Sequence, residues 1–562
     1  MASSEPDATV LPTEAVPVAQ QLGAAPDVPP PPKWNWTADV ISGFLVFLIA
    51  LPLCLAISLA SGCPATAGVF TAIVGGLLSP WISNSALTIK GPAAGLIVIV
   101  LGCVLEFGGE AAASPEAQLQ AYRMMLGVAV VAGLVQIGLA LLRSGVLAEL
   151  FPTSAVHGML AAIGVIIFAK QFHLMMGVTP RGREPLHLLW EIPSSLVSAN
   201  PEIAVIGLAS LVVLFGWGFL PASVRRVPPQ LVVLILGMGL ALVFDLDHVH
   251  TYTFAGHRYG VGDQFLVNVP NSILAAVTLP DFSGVATLVG VKWVIMFTLI
   301  GTLESLLSSK AVDLLDPQRR KTDQNRDLLA VGIGNSLVAC IGGLPMISEI
   351  VRSKANIDNG AKSRFANMFH AVFLLLFVAL MPWLIHRIPL AALAAMLVYT
   401  GCRLAHYREF LHRYKVGVEQ LAVFTATLVG VLATDLLVGV AIGFALELLL
   451  NWWHGMSPRS LFDPAMTIDE PDEFTTRIRV NNSAVFTNWL VLRQQVMSLC
   501  PERTVILDFS QARLVDHNVM EKLEQLQDEL IEEDRNLLVI GMRSHSRLSP
   551  HPLATRKRLS AP

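Results

Sequence analysis

Long apolar runs separated by short polar segments recur from residue 38 to residue 454. A helix needs about 20 mostly apolar residues to cross a bilayer, and most of these runs approach that length. The pattern therefore predicts an α-helical polytopic membrane protein with about 14 spans. The candidate spans are 38–60, 64–83, 91–105, 121–142, 153–176, 202–220, 228–245, 290–311, 327–343, 345–359, 365–386, 389–402, 418–434 and 436–454.

Two of the candidate spans are too short to cross a bilayer alone. One is 91–105, which begins within the motif Lys90-Gly91-Pro92, and the other is 345–359, which begins at the end of the motif Gly343-Leu344-Pro345. They are third among the first seven spans and third among the last seven. Short segments interrupted by Gly and Pro at matching positions of two halves point to a binding site near the middle of the membrane. The pattern predicts an inverted repeat of seven plus seven spans.

The segment 342–353 contains Gly-Gly, a Pro and two ionisable side chains, Glu349 and Arg352. An Arg inside a bilayer costs a few kcal/mol on insertion scales and roughly 10 or more in simulations. A helix that starts at mid-depth also leaves unpaired N–H groups at its first turn. Because a fixed cation and a helix N-terminus both attract negative charge, the segment predicts an anion site and favours transport.

The loop charges indicate an orientation. Loops after even-numbered spans are rich in Lys and Arg, for example Arg225-Arg226 and Arg319-Arg320-Lys321, whereas loops after odd-numbered spans hold fewer. The positive-inside rule places the even loops and both termini in the cytoplasm. The chain is therefore predicted to be a multi-pass protein of the cytoplasmic (inner or plasma) membrane.

The composition supports the membrane assignment and excludes other classes. Hydrophobic residues make up 54% and charged residues only 14% of the 562 residues, against about 25% charged in soluble domains. The net charge of −4 argues against a nucleic-acid partner. The six scattered cysteines show no metal or disulfide spacing, so we expect small buried hydrophobes, no metal and no cofactor.

The chain divides into four parts. Residues 1–33 are acidic and Pro/Ala-rich, lack the apolar core of a signal peptide and are predicted to be a disordered tail. The transmembrane domain is predicted at 34–454, and a small α/β domain in the cytoplasm at 470–545. The basic, polar residues 546–562 are predicted to be disordered.

Local patterns define the α/β domain. Residues 475–482, 503–509 and 537–540 have the composition of strands. The apolar spacing over 518–533 predicts a helix between the last two.

Several motifs carry a family resemblance. The chain contains Gly332-x-Gly334-Asn335 followed by Gly342-Gly343-Leu344-Pro345 and Val351-Arg352-Ser353, together with Lys90-Gly91-Pro92 and an Asp39-to-Gly43 segment leading into Ala50-Leu51-Pro52. In these motifs the region 36–454 resembles the SulP (solute-carrier sulfate-permease) anion transporters. The C-terminal domain resembles the STAS domain that this family carries.

The resemblance implies an architecture and a mechanism. Spans one to four and eight to eleven would form a core domain, and the remaining spans a gate domain. An anion would lie between the third and tenth half-helices and move by an elevator-like shift. Members of this family transport sulfate, bicarbonate, chloride or organic acids, often coupled to protons or sodium, and usually dimerise.

A homodimer and a cytosolic partner of the STAS-like domain are therefore expected. Asn518 stands where regulatory STAS domains carry a phosphorylatable Ser, which argues against a phosphorylation switch.

The candidate anion ligands lie around the two short spans. Arg352 matches the anion-site Arg of the family, although it could instead pair with Glu349 at i−3. Lys90 departs from the small or hydroxyl residue of many relatives and would add a second cation, unless it extends to a membrane surface. Further candidates are Gly91, the backbone N–H groups near Ala93, Ala94, Met346 and Ile347, and the hydroxyls of Ser348 and Ser353.

Glu304 is the candidate for coupling transport to a cation. It lies in the middle of the otherwise apolar eighth span, and relatives use an acidic residue there for proton or sodium coupling. Ser308 is one helical turn further on and could complete a cation site. The alternative is that Glu304 is a static counter-ion for Arg352 or Lys310.

Three functions remain after these arguments. The first is secondary active transport of a small inorganic anion, bicarbonate or sulfate, because the chain has neither a Walker motif nor a catalytic constellation. The second is a nucleobase permease of the same architecture, which Lys90 and Arg352 oppose because an uncharged ligand gains nothing from them. The third is a non-transporting membrane anchor or sensor acting through its STAS-like domain.

Overall fold

The computed structural model describes residues 36–108, 114–180, 182, 184–270, 272, 274–472, 475–499, 504–532 and 535–559. The predicted tail 1–33 lies outside these residues, as do Cys500 and Arg503. Of the other cysteines, Cys54, Cys63 and Cys103 are buried and none of the five described is in a disulfide.

All fourteen candidate spans contain helix. Among the described residues, six helices are long and apolar enough to cross a membrane, judged by length and composition. Polar residues mark several starts: Thr287 and Asp323 each accept a hydrogen bond from the first turn of the helix that follows. The helices of the membrane region are α1 Trp36–Ala60, α2 Thr66–Ile82, α3 Ile97–Gly108, α4 Pro115–Leu141, α5 Thr153–Met175, α6 Pro185–Val197, α7 Pro201–Gly216, α8 Pro229–Val243, α9 Leu288–Leu315, α10 Gln324–Ala339, α11 Ile350–Asp358, α12 Phe365–Leu380, α13 Pro382–Ile385, α14 Leu390–Leu404, α15 Tyr407–Val416, α16 Val418–Ala433 and α17 Leu436–Trp453.

The helix contacts come in pairs related by a shift of seven spans, as the predicted inverted repeat requires. Helix α2 packs against α12 and α4 against α10; α1 packs against α11 and α3 against α9; α5 packs against α16 and α7 against α14. The first two pairs use glycine in the same way: a Cβ on Gly76 would lie 2.6 Å from Asn367 O, and one on Gly133 would lie 2.9 Å from Gly332 O. Small residues permit this close approach of backbones.

Some elements lie outside the predicted spans. Helix α6 and the amphipathic helix α15 connect spans, and the strands β2 His250–Phe254 and β3 His257–Val261 form an antiparallel hairpin. Two further strands, β1 Ile89–Pro92 and β4 Met346–Glu349, lie at the starts of the two short spans and pair with each other. Strand pairs this short leave no periodic signal in the sequence.

The C-terminal region is a separate α/β unit with its own apolar core. Its main sheet consists, in spatial order, of β5 Met466–Asp472, β6 Thr475–Val480, β7 Thr504–Asp508 and β9 Leu537–Ile540. Strands β5 and β6 are antiparallel, and the other two pairs are parallel. The three predicted strands and the predicted helix are all present, and the unit contains further strands and one further helix that were not predicted. The elements are β5 Met466–Asp472, β6 Thr475–Val480, α18 Trp489–Met497, β7 Thr504–Asp508, β8 Leu514–Val515, α19 His517–Glu532, β9 Leu537–Ile540, β10 His545–Arg547 and β11 Arg556–Arg558.

The prediction of a disordered tail at 546–562 is wrong for residues 546–559. Strand β11 lies between β10 and β8 in a second, three-stranded sheet. The segment that connects β10 to β11 also forms hydrogen bonds. Its Thr555 Oγ1 accepts from His517 N–H over 3.1 Å, and its Ser549 Oγ donates to Val416 O over 2.5 Å. A polar composition does not exclude order when the backbone of the segment completes a sheet.

The C-terminal unit is anchored to helices α5 and α17 through Asn518. The Asn518 Oδ1 atom accepts hydrogen bonds from Thr153 N (2.8 Å) and Thr153 Oγ1 (3.2 Å). Its Nδ2 donates to Glu447 Oε1 over 2.9 Å. Asn518 is fully buried, so it acts as a docking residue between the C-terminal unit and the membrane helices.

A second anchor is Glu149, in the connection between α4 and α5. Its carboxylate pairs with Lys310 of α9 and accepts a hydrogen bond from Trp489 Nε1 over 2.8 Å. Burial opposes ionisation of Glu149, but the charges of Lys310 and Arg493 and the hydrogen bonds from Lys310 and Trp489 lower its pKa overall. Glu149 therefore ties α9 and the C-terminal unit to one short connection.

Replacing Asn518 by Asp should loosen the docked C-terminal unit. The substitution keeps the acceptor oxygen for Thr153 but turns the donor toward Glu447 into a second carboxylate oxygen. We expect a loss of about 1–3 kcal/mol at this contact, measured as faster amide hydrogen exchange at the start of α19. Asn536→Asp, on an exposed position of the same unit, is the control. Equal exchange in both variants would contradict the docking role.

Candidate functional site

The two short spans meet through a pair of strands. Strands β1 and β4 run antiparallel, with Lys90 opposite Ser348 and Gly91 opposite Ile347. The sequence suggested that the tenth span becomes helical directly after Pro345, but the structure shows that it does not. Four extended residues come first, and α11 begins at Ile350. Backbone groups at mid-membrane need partners, and the strand pairing supplies them.

Side chains satisfy the turn that leads into β4. Gly342 has a φ of +94°, which requires glycine. Tyr122 Oη donates to Gly342 O, and Thr71 Oγ1 donates to Leu344 O over 2.8 Å. Asn335 Oδ1 accepts a hydrogen bond of 2.6 Å from Met346 N–H. The Gly-Gly-Leu-Pro motif is thus held by three neighbouring helices.

Arg352 lies in the first turn of α11 and is 1% exposed. Its Nη2 is 3.3 Å from Pro92 O and its Nη1 is 3.5 Å from Cys54 Sγ. Its Nε has no hydrogen-bond partner within the described residues. The guanidinium has five N–H donors, so several remain for a ligand.

Arg352 and Glu349 do not form the alternative ion pair. Within the described part of the chain, no carboxylate oxygen of Glu349 lies within 4 Å of a guanidinium nitrogen of Arg352. The Glu349 Oε1 atom also has no hydrogen-bond partner there. The guanidinium instead lies against Gly91, where a Cβ would overlap Nη1. Gly91 is therefore required for the position of the Arg352 cation.

Free backbone donors occur at the start of α3 but not at β4. Leu96 N–H and Ile97 N–H bond to Ala93 O and Ala94 O, whereas the N–H groups of Ala93 and Ala94 themselves donate to no group in the described part of the chain. At β4, Met346 N–H is engaged by Asn335 and Ile347 is paired in the strand. Ala93 and Ala94 thus fit the predicted role, and Met346 does not.

The structure does not leave Lys90, Ser348 or Ser353 free for an anion. The Lys90 ammonium is 2.6 Å from Asp327 Oδ1 and also donates to Ser348. Ser353 Oγ donates to Glu349 O over 2.5 Å and accepts from Ile89 N–H over 2.8 Å. Because residues alternate between the two faces of a strand, Lys90 points away from the side on which Gly91 meets Arg352.

Sequence reasoning missed Asp327 because an acidic residue in the first turn of a helix has a common structural role there. The signal that could have found it is Lys90 itself, since a buried ammonium needs a counter-ion. His370 of α12 was also missed. It is fully buried, and neither ring nitrogen has a partner within the described residues.

Glu304 lies where the sequence predicted, at the core of α9 and next to α3. It is 7% exposed, and its carboxylate contacts Gly95, where a Cβ would overlap Oε1. Neither carboxylate oxygen has a hydrogen-bond partner among the described residues. Glu304 is thus not the static counter-ion of Arg352 or of Lys310, which pairs with Glu149. Ser308 is buried one turn further along α9.

The arrangement has the chemistry of binding rather than of catalysis. A fixed cation, two unpaired backbone donors and a buried carboxyl converge at the starts of α3 and α11. Within the described residues, no group of three or more His, Cys, Asp or Glu side chains could hold a metal ion.

Comparisons with known proteins identify relatives that match most of this chain. The chain is 27% identical over 417 residues to YvdB of Bacillus subtilis, which is named as a sulfate transporter, covering 73% of this chain and 72% of that protein. It is 24% identical over 411 residues to the bicarbonate transporter BicA of Picosynechococcus, covering 73% and 69%.

Solved structures show the same fold. The transmembrane domain of a cyanobacterial bicarbonate transporter BicA matches with a TM-score of 0.59 at 25% identity, covering 72% of this chain and 97% of that one. The structure of SLC26A9 matches with a TM-score of 0.66 at 15% identity, covering 90% and 84%.

The family-level match covers most of the membrane region. The sequence profile described as the Sulfate permease family matches residues 36–427. The predicted resemblance and the predicted class, an anion transporter and not an enzyme, are confirmed at this level. The chain belongs to the Sulfate permease family.

Proposed function

We propose that this protein is a secondary active transporter of a small inorganic anion, with bicarbonate as the substrate that the geometry supports best. The observation that carries the proposal is the Arg352 guanidinium. It is buried at the start of α11, faces the start of α3 and has no carboxylate partner in the described chain. A buried cation without a counter-ion is costly, and an incoming anion would compensate it.

The preference for a singly charged anion rests on a count of available cations. The sequence offered two, Arg352 and Lys90, but the Lys90 charge is compensated by Asp327. One guanidinium and the N–H groups of Ala93 and Ala94 match the charge and the three oxygens of bicarbonate. Sulfate carries a second charge, for which the site has no second cation. Sulfate is therefore the alternative substrate and is included in the tests.

An elevator-like motion is supported by the burial of the site. Arg352 and Glu304 are 1% and 7% exposed, so an anion reaches them only if the surrounding helices move. Helices α1 to α4 and α9 to α12 pack mainly with one another, as do α5 to α8 and α14 to α17. The starts of α3 and α11 belong to the first group, the core, which would carry the anion past the second group, the gate.

Glu304 is the proposed coupling residue, and the coupled cation is a proton or sodium. Its carboxyl lies beside the start of α3 and has no fixed partner, so its charge can change with its surroundings. An ionised Glu304 would repel an anion at Arg352, whereas a Glu304 that has bound a cation would not. This relation would make anion binding and cation binding cooperative.

The proposal includes an orientation and an assembly. The connections after α4, α9 and α14 all contact the C-terminal unit, for example through Lys321 Nζ and Glu529 O at 3.2 Å. These connections follow spans four, eight and twelve, so they are the even-numbered loops that are rich in Lys and Arg. Both termini would therefore lie with them in the cytoplasm, at the cytoplasmic membrane. A homodimer and a cytosolic partner of the STAS-like unit remain part of the proposal.

The two other functions have less support. A nucleobase permease would have to bury the Arg352 charge beside a neutral ligand. A non-transporting anchor would have no use for free donors around a buried cation. Uptake of labelled bicarbonate, sulfate and uracil into proteoliposomes separates the three, because an anchor transports none of them and a nucleobase permease transports only uracil.

Arg352→Ala should abolish anion uptake. Losing the only uncompensated cation at the site should weaken anion binding at least about tenfold, since charged hydrogen bonds contribute about 1.5–3 kcal/mol. Arg352→Lys should restore it only in part, because a lysine lacks the planar set of donors. Uptake of labelled bicarbonate is the measurement, with the exposed Arg408→Ala as control. Undiminished uptake by Arg352→Ala would overturn the site assignment.

Glu304→Gln should uncouple transport from the driving cation. The amide has nearly the same shape as the carboxyl but cannot bind or release a cation by changing charge. We expect that imposed proton or sodium gradients, tested separately, no longer accelerate uptake, while anion exchange at equilibrium persists. A gradient response equal to that of the unmodified protein would exclude Glu304 as the coupling residue.

Gly91→Ala should raise the KM for the anion without abolishing transport. The new methyl group would displace the Arg352 guanidinium from the strand, so the cation would be present but misplaced. Gly138→Ala in α4 is the matched control, because a Cβ there meets no atom within 4 Å. Equal KM values in the two variants would show that the position of the guanidinium against β1 is unimportant for binding.

A further inference from the structure

A second charged cluster lies on the other side of the β1–β4 pair. We call it the Lys90 cluster; it comprises Lys90, Asp327, Ser348, Ser83 and Ser305. The Lys90 Nζ atom is 2.6 Å from Asp327 Oδ1 and donates to Ser348 Oγ. Ser83 Oγ and Ser348 Oγ donate to the two oxygens of Asp327 over 2.6 and 2.9 Å. Ser305 Oγ is 3.2 Å from Ser348 Oγ. All five residues are at most 3% exposed.

The Lys90 ammonium is surrounded by the kinds of oxygen atom that bind a hard metal cation. An ammonium has three donors and no acceptor, and here it is surrounded by carboxylate and hydroxyl oxygens. Alkali cations in membrane transporters are likewise bound by oxygens near broken helices. Lys90 lies next to such a break, at the start of the third span.

Stability alone does not account for this pair. A buried ion pair is often no more stable than apolar residues of the same volume, so its presence is weak evidence for a stabilising role. The location is more informative. Ser305 and Ser348 are the chain neighbours of Glu304 and Glu349, so two of the elements that form the cluster, α9 and β4, also carry the carboxyl groups next to the anion site.

We propose that the Lys90 ammonium is a tethered cation that occupies an oxygen-lined cation site at Asp327, so that this core needs no sodium ion there. Removal of the ammonium without filling its space would leave a site for an alkali cation formed by Asp327, Ser348 and Ser83. The inference deepens the proposed function, because it removes Asp327 from the carboxyls that could bind a coupling cation and leaves that role to Glu304. The binding tests below do not require transport.

The test is made in a Glu304→Gln background, so that the Glu304 carboxyl cannot contribute to any response to sodium. The purified protein is heated in sodium chloride or in choline chloride at equal ionic strength, and equilibrium binding of radiolabelled sodium is measured. With Lys90 intact, we expect the same melting temperature in both salts and no bound sodium. With Lys90→Ala, we expect a higher melting temperature in sodium and one bound ion per chain.

Two further variants identify the ligands. Lys90→Ala combined with Asp327→Asn should lower sodium affinity at least about tenfold relative to Lys90→Ala alone. Lys90→Met fills the space of the lysine stem without its charge, so sodium should not restore its stability.

Two results would overturn the proposal. One is sodium binding by the background protein in which Lys90 is intact, a measurement that does not depend on whether the Lys90 variants fold. The other is sodium binding by Lys90→Ala no tighter than that of the double variant. Absence of anion uptake by the unmodified protein would instead refute the proposed transport and leave these binding results unaffected.

Discussion

The structure depends on one constraint: backbone polar groups within a membrane must be paired inside the protein. Two spans of this chain stop being helical near the middle, and each break exposes N–H and C=O groups. The antiparallel pairing of β1 with β4 satisfies many of them, and side chains of Thr71, Tyr122 and Asn335 satisfy the turn before β4. The donors that remain, at Ala93 and Ala94, are left beside the Arg352 guanidinium, which forms no ion pair within the described part of the chain. The site is thus a consequence of how the breaks are closed.

The same strand pair separates two kinds of positive charge. Residues adjacent in a strand point to opposite faces, so Lys90 and the face of Gly91 that meets Arg352 lie on different sides of β1. On one side the ammonium is compensated by Asp327. On the other the guanidinium is uncompensated and can respond to a ligand. A cation that is permanently paired can stabilise a local structure but cannot select a ligand by charge, whereas an unpaired cation can.

Much of the fold could be predicted from the sequence, and the failures have physical reasons. Apolar length and Gly/Pro interruptions located every span and both breaks, because these signals are long or chemically distinctive. The strands β1 and β4 have four residues each, too few for a periodic pattern, so Lys90 was assigned to the mouth of a helix and to the anion. The direction of its side chain follows only once the backbone is known to be extended. Asp327 lies 237 residues away in the chain, and no local pattern connects it to Lys90. Likewise, the polar composition of 546–559 gave no indication that its backbone would complete a sheet.

The order of residues 546–559 matters for the design of shortened versions of the protein. Strand β11 is the central strand of its sheet and covers one edge of β8. An expression clone that stops after residue 545, where a compositional disorder plot would place the boundary, would uncover that edge and remove the residues that hold the start of α19. Exposed strand edges promote association between chains. The shortened protein would be prone to aggregation, and the cause could be mistaken for a poor choice of detergent.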